Sequence, residues 1–319
     1  MNRFKKILLV FDPKSKTQAA VDHAISLAKE NAAHITVLSV LKNLPSDLSM
    51  AISVMPAQQL ISLAIKERQT QLDEIIAVFS EQGIEVTSKV VRGTPFLEII
   101  SQVLRGKHDL VIIAAEGKGG LTDRLFGSTS MHLIRKCPCP VWVVKPTRRR
   151  KYQRILAAVD IISDYPYPKK DSLNPLIVQL ASSMAQMNKA ELHVVQVWSV
   201  YGEGYMSVPG GLPKEPINKL RTIAKRLYTS ELDKLMGSVE IEGVKVHRHL
   251  PRSQEISKSI VSLAKRQKVD LLVMGTVCRT GVAGLIIGNT AEKVLNKVDC
   301  SVLTLKPEGF VTPVTLEDT

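Results

Sequence analysis

The sequence predicts an α/β protein of two tandem domains, each a five-stranded parallel sheet with helices on both faces. Three observations predict it. First, the chain repeats itself. "FKKILLVFD" at 4–12 returns as "YQRILAAVD" at 152–160, an offset of 148 residues. "HDLVIIAAEG" at 108–117 returns as "VDLLVMGTVC" at 269–278, and "CPVWVVKP" at 139–146 as "CSVLTLKP" at 300–307, both at an offset of 161. Such a period is too long for a solenoid and describes two similar domains. Second, short branched apolar runs alternate with helical stretches, the pattern of a parallel sheet covered on both faces. Third, 319 residues, 45% of them hydrophobic, exceed one ordinary core. The expected division is 1–147, 148–307 and a C-terminal tail, 308–319.

The elements follow in order. Residues 5–12 form a buried strand, 16–30 a helix with Ala, Leu and Ile at helical spacing, and "HITVLSVL" at 34–41 the second strand. A long helix over 57–81 is polar on one face, and "IEVTSKVV" at 84–91 is the third strand. "TPFLEIISQVL" opens a helix with Thr94 as N-cap and Pro95 at the first helical position. Residues 109–115 form the fourth strand, 128–136 a helix and 140–145 the fifth strand. The second copy places strands at 154–160, 191–198, 244–249, 270–275 and 300–306. Its helices fall near 174–188, 214–236, 253–267 and 289–297. The loops after the second strands, "KNLPSDLSMAISVMP" and "SVYGEGYMSVPGGLP", are rich in Gly, Pro and Ser and read as surface lids or interface arms. Open fifth strands, "VWVVK" and "VLTLK", would be a liability. The two halves are therefore expected to pair within the chain about a pseudo-twofold axis.

Composition narrows the function classes. Lys+Arg number 43 against 30 Asp+Glu, a formal charge of +13. This permits anionic partners without indicating one. Lys145, Arg148, Arg149, Arg150, Lys151 and Arg154 crowd the junction between the copies and read as a solvated linker. Direct nucleic-acid binding is disfavoured: aromatics are 4% of residues, and no stacking platform accompanies the run. The four cysteines, Cys137, Cys139, Cys278 and Cys300, give no disulfide framework and no C-x-x-C. Free thiols in a reducing compartment follow. With no stretch of eighteen apolar residues and no signal-peptide pattern, a cytoplasmic protein without a transmembrane segment is expected.

The candidate site lies where the fourth strands end. In an open parallel sheet, ligands sit beyond the carboxyl ends of the strands, near the switch in strand order. "AAEGKGGLTDRLFGST" at 114–129 leaves that edge with Gly117, Gly119 and Gly120, then reaches Gly127 and Ser128 at a helix start. Free N–H groups and hydroxyls there suit phosphate oxygens. A plain turn with an N-cap fits the same residues. The loop is neither a Walker A motif nor G-x-G-x-x-G after a first strand. Asp12 and Asp160 end the first strands, where each could bind an adenine amine or ribose hydroxyl, or cap the next helix. Val40 and Val197, late in the second strands, read either as a flat pocket wall or as core.

These residues resemble the universal stress protein family, most closely its tandem E-type. The family pattern G-x2-G-x9-G-[ST] falls on Ala114, Gly117, Gly127 and Ser128 in the first copy. In the second it falls on Gly275, Cys278, Gly288 and Asn289, with Thr290 following. The resemblance implies an adenine-nucleotide alpha-hydrolase-like fold, cytoplasmic location and a role in stress resistance. Some members bind ATP, with Mg2+, and others do not. In those that do, Asp12 and Asp160 would contact the nucleotide, and Val40 and Val197 would flank the adenine. Both copies break the pattern. Ala114 costs a methyl's worth of room, whereas Cys278 and Asn289 remove a close approach and a hydroxyl. The expected function is therefore a non-enzymatic stress-response role through a small-molecule, lipid-like or protein partner. An ATP-binding switch with weak hydrolysis, seated in the first copy, is the alternative.

Dedicated catalysis finds no support in motifs. G-x-S-x-G, H-E-x-x-H and H-x-E…C-x-x-C are absent from the sequence. Cys139 and Cys300 read as core and Cys278 as a loop thiol. His247 and His249 share one strand face and would need a third ligand from elsewhere in the chain to hold a metal.

Overall fold

The computed structural model describes residues 3–43, 56–115, 126–147, 151–161, 173–200, 202–203, 214–276 and 287–318. The chain forms two compact units, Met1–Arg150 with Gly309–Thr319, and Lys151–Arg279 with Ile287–Glu308.

In the first unit the order is β1 (Lys6–Val10), α1 (Gln18–Asn31), β2 (His34–Leu41), α2 (Ala57–Glu81), β3 (Val86–Arg92), α3 (Pro95–Gly106), β4 (Leu110–Ala114), α4 (Ser128–Lys136) and β5 (Val141–Val144). β1 lies between β2 and β4, β3 flanks β2 and β5 flanks β4, all parallel. The second unit repeats this with β6 (Arg154–Ala158), α5 (Asn174–Asn188), β7 (Glu191–Val195), α6 (Lys214–Gly237), β8 (Val246–His249), α7 (Ile256–Arg266), β9 (Leu271–Gly275), α8 (Asn289–Leu295) and β10 (Ser301–Leu305). There β6 lies between β7 and β9, with β8 beside β7 and β10 beside β9, again parallel. Strand order reverses between β1 and β4, and between β6 and β9.

Burial explains why the apolar runs became strands. Every residue of β4 and β10 is buried, so helices cover both faces. β3 alternates between exposed and half-buried positions, as an outer strand does. Thr94 is the N-cap of α3 and Pro95 its first residue, but the Thr94 hydroxyl makes no capping bond. Cys137, Cys139 and Cys300 are buried and in no disulfide, and Cys278 lies outside the described residues. The 3-10 helix Leu316–Asp318 packs on α3 within the first unit, and Val314 before it is buried. The two lid loops fall largely outside the described residues, as do Arg148–Arg150. No helix among the described residues is long and apolar enough to cross a membrane.

Two polar staples recur in both copies. Asn31, buried at the end of α1, accepts the N–H groups of Arg3 (2.9 Å) and Phe4 (3.3 Å) and donates to the Leu27 carbonyl. Asn188 does the same at the end of α5, accepting from Tyr152 N–H at 3.0 Å and donating to Met184. Asp109 accepts the N–H groups of Lys5 and Lys6, and Asp270 those of Gln153 and Arg154. Each staple ties the entry of a unit's first strand to a distant element. Asn31→Ala should cost about 2 kcal/mol of stability in urea unfolding, because it orphans buried amides rather than deleting a pair. Asn188→Ala, which frees one amide instead of two, should cost less.

The strands end earlier than their apolar runs. β1 stops at Val10 and β6 at Ala158, so Asp12 and Asp160 stand two residues beyond the strand ends they were expected to occupy. β7 stops at Val195, which puts Val197 outside it. Val197 precedes Trp198, which forms an isolated bridge with Arg252. Polar side chains at these points take over the ladder. Ser39 donates to the Phe11 carbonyl, and Gln196 accepts the Ile161 N–H.

Candidate functional site

The carboxyl ends of β1 and β4 open the first unit's crevice at the reversal of strand order, the usual ligand position in such sheets. Asp12 is exposed there, and its Oδ1 accepts the Lys14 N–H at 3.0 Å. Ser15 N–H closes onto the Asp12 carbonyl at 2.9 Å. The carboxylate thus shapes a turn rather than capping α1, whose N-cap is Thr17. Val40 is half-buried within β2, and Ala114 is the buried last residue of β4. Gly117 lies outside the described residues, together with Lys118, Gly119 and Gly120.

Gly127 is the N-cap of α4, with φ −74° and ψ 176°, and Ser128 opens the helix with its side chain exposed. That backbone is extended and open to any residue. No turn therefore demands glycine at this position. α4 is held in place by its own face. His132 stacks on Phe96 of α3 at 4.3 Å between ring centroids, and the Lys136 ammonium sits 4.8 Å over the same Phe96 ring. Burial, then the Lys136 and Arg135 charges, push the His132 pKa down. The α4 face is accordingly positive without help from histidine.

The second unit fills the matching crevice with its own side chains. A Cβ on Gly275 would lie 2.7 Å from Leu173 Cδ2, so Leu173 occupies the space this glycine leaves. Asn174 then clasps the peptide of Asp160, accepting its N–H at 3.0 Å and donating to its carbonyl at 2.7 Å. Gln196 bonds Ile161 N–H at 2.7 Å and the Val197 carbonyl at 2.7 Å. Asp160 itself is exposed and Val197 buried. The N–H of Gly288, the N-cap of α8, is engaged by the Thr276 carbonyl at 2.9 Å. The buried Lys306 donates to Thr276 Oγ1 at 2.8 Å. Asn289 is exposed and Thr290 half-buried at the start of α8.

The structure places the expected residues at or just beyond strand ends and sets further side chains beside them. Asp12, Val40, Ala114, Gly127 and Ser128 come from the carboxyl-end segments of one unit. Asp160, Val197, Gly275, Gly288, Asn289 and Thr290 come from the same segments of the other. The missed residues are Ser39 with Arg68, which donates to Ser39 Oγ at 2.7 Å, and Leu173, Asn174 and Gln196 in the second copy. Ser39 and Gln196 are polar residues late in apolar runs, and that interruption was the available signal. The buried Glu203, which accepts from Arg221 Nε at 2.7 Å and Arg252 Nη1 at 3.2 Å, had no comparable signal.

Known proteins share this organisation. The pattern of the Universal stress protein family matches residues 3–145 and again 151–306. Universal stress protein E of Salmonella typhi is 28% identical over 320 residues, covering 100% of this chain and 99% of that protein. Among solved structures, a functionally unknown protein from Pseudomonas aeruginosa PAO1 superposes with a TM-score of 0.69 at 24% identity, covering 97% of this chain and 95% of that one. A universal stress protein from Archaeoglobus fulgidus does so with a TM-score of 0.59 at 20% identity, covering 94% and 98%. These structures share the fold, and the E-type relative shares the tandem plan from end to end. With its pattern matched once in each half, the chain belongs to the universal stress protein family and is of the tandem, E-like kind.

Proposed function

We propose that this chain serves the stress response without dedicated catalysis, by binding a small molecule or a partner at the carboxyl-edge crevice of its first unit. The observation that carries this is the contrast between the two crevices. Leu173, the N-cap of α5, stands against Gly275 with the Asn174 and Gln196 clasps in the second, whereas the polar Thr17 stands at the matching N-cap of the first. The partner is a small molecule, a lipid-like ligand or a protein, and the site of action is the cytoplasm. Native mass spectrometry of the freshly purified full chain tests the reading. A retained adduct, lost on Gly127→Val, is the expected result. A bare mass with no partner captured from stressed cells would count against it.

The second reading is an adenine-nucleotide switch in the same unit, with ATP and Mg2+ as ligand and an adenine-nucleotide alpha-hydrolase-like arrangement. It is favoured by Gly127 and Ser128 at the start of α4, a helix N-terminus of the kind that suits phosphate. Ser128 would offer its hydroxyl and the α4 amides to phosphate, with Asp12 and Val40 at the nucleoside end. Pairing of the halves about a pseudo-twofold axis belongs to the same proposal, since fusion raises their effective concentration for one another. Sedimentation should then find a monomer at all concentrations tested.

A further inference from the structure

Along β7 and β8 of the second unit, from Glu191 at the start of one strand to His249 at the end of the other, four side chains come onto one face. His193 pairs with His247 across the strands, and Val195 pairs with His249. Glu191, two residues before His193, shares that face by the alternation of a strand. The His193 and His247 rings stack at 4.7 Å, and those of His193 and His249 at 5.2 Å. Glu191 Oε2 lies 3.3 Å from His247 Nε2 and 3.9 Å from His193 Nε2. One ligand atom each from Glu191, His193 and His247 falls within 4.8 Å of the others.

Three features distinguish this cluster from incidental packing. The Nε2 atoms of His193 and His247 are both shielded from water, and neither makes a hydrogen bond, despite the carboxylate beside them. Buried polar atoms are normally paired, and a pair left bare on one focus needs an explanation. Next, the remaining groups are already spoken for. His193 Nδ1 and His249 Nε2 share a hydrogen bond of 2.9 Å, while Lys245 Nζ holds Glu191 Oε1 at 2.8 Å. When the shared proton sits on His193 Nδ1, His193 Nε2 presents a lone pair, and Glu191 Oε2 is the carboxylate oxygen that faces both imidazoles rather than Lys245. A histidine oriented through its second nitrogen is the usual arrangement at a metal. Last, the fold does not need these residues. At the corresponding positions of the first unit, Thr36 pairs with Thr87 across β2 and β3, their hydroxyls 3.4 Å apart. The same sheet position is filled by threonines in one copy and by imidazoles in the other.

We propose that Glu191, His193 and His247 form a binding site for a borderline divalent transition-metal ion of the Zn2+ class, with His249 as the positioning residue for His193. Two imidazoles and one carboxylate with an open position suit such an ion and not the hard, all-oxygen sites of Ca2+ or Mg2+. Ligand atoms around tetrahedral Zn2+ stand roughly 3.4 Å apart, given bonds of about 2.0–2.1 Å. The Glu191–His247 spacing meets this, and a tilt of the stacked rings would draw in His193. Lys245, 68% exposed, can turn to water as the cation enters. Bound metal would clamp β8, a strand of four residues at the end of its unit's strand order, to its neighbour.

The test titrates the chelator-stripped full chain with Zn2+ at pH 7.5 against a competing indicator, and with Co2+ followed by its visible spectrum. One equivalent of Zn2+ with a Kd of about micromolar order is expected, together with a higher melting temperature. The Co2+ spectrum should lack a thiolate charge-transfer band, which separates this site from the Cys137–Cys139 pair. In the variant His193→Thr with His247→Thr, which copies the first unit, affinity should fall at least tenfold and the metal-induced shift in melting should vanish. The variant's own circular dichroism should remain that of the parent. His249→Gln should weaken binding about tenfold while leaving the stoichiometry at one. Absence of saturable binding, a thiolate band, or a double variant that binds within tenfold of the parent would overturn the proposal.

Discussion

Lowering the pH from about 6.5 towards 4 is expected to remove several kcal/mol of stability, and His23 should account for a measurable share. His23 is buried in α1 with its ring 5.1 Å from that of Trp142, tilted by 38°. Burial depresses its pKa to about 4, against a smaller opposing pull from Asp22. The unfolded chain, with a histidine pKa near 6.5, therefore binds more protons than the folded chain throughout that window. Stability is full above it and falls as the pH drops, by up to about 3 kcal/mol for this one group. His193, also at about 4, and His108 and His249, both lowered chiefly by burial, act with the same sign. Urea unfolding at a series of pH values from 7 to 4 measures the slope. His23→Met should flatten it by about 1.4 kcal/mol per pH unit at its steepest, the worth of one proton. An unchanged slope in that variant would show that His23 is not titrating on unfolding.

ATP with Mg2+, if it binds, is expected to bind the first unit at least a hundredfold more tightly than the second. A hydrogen bond to a charged acceptor is worth roughly 1.5–3 kcal/mol, and the second copy lacks two of the favourable features. Asn289 stands where the first copy has Ser128, and the Gly288 N–H is committed to Thr276. Leu173 also fills the space before Gly275. Calorimetry on the full chain separates the halves through single variants. Gly127→Val should abolish the heat of binding, because its side chain enters the approach while its extended backbone tolerates valine. Gly288→Val should leave the affinity within about twofold, and Ser128→Ala should weaken it by about tenfold, since backbone amides remain. Loss of binding in Gly288→Val alone would reverse the ranking. No heat at millimolar nucleotide would leave the non-nucleotide ligand as the surviving reading.

Much of this protein was legible because its chemistry is local or repeated. Apolar runs such as "DLVIIAA" announced buried strands, and "TPFLE" announced a helix start, since strand burial and helix entry are governed by residues close in sequence. The copy beginning at Tyr152 announced two units without any pairing being known. The α/β class follows from that alone. Strand ends were less legible. A ladder can pass from backbone to side chain without a change in hydropathy, as Ser39 and Gln196 demonstrate. That is why Asp12 stands beyond its strand and in a turn. Only the tertiary structure decided what packs on the glycine of the second copy. Gly275 keeps the motif glycine where the first copy has Ala114, yet Leu173, about a hundred residues away in sequence, occupies its void. Only the tertiary structure, too, brought Glu191 and His193 to His247 and His249, which alternation had placed on one face but left without further ligands. Such meetings depend on which strands become neighbours and in what register, and no local pattern encodes the partner of an edge strand.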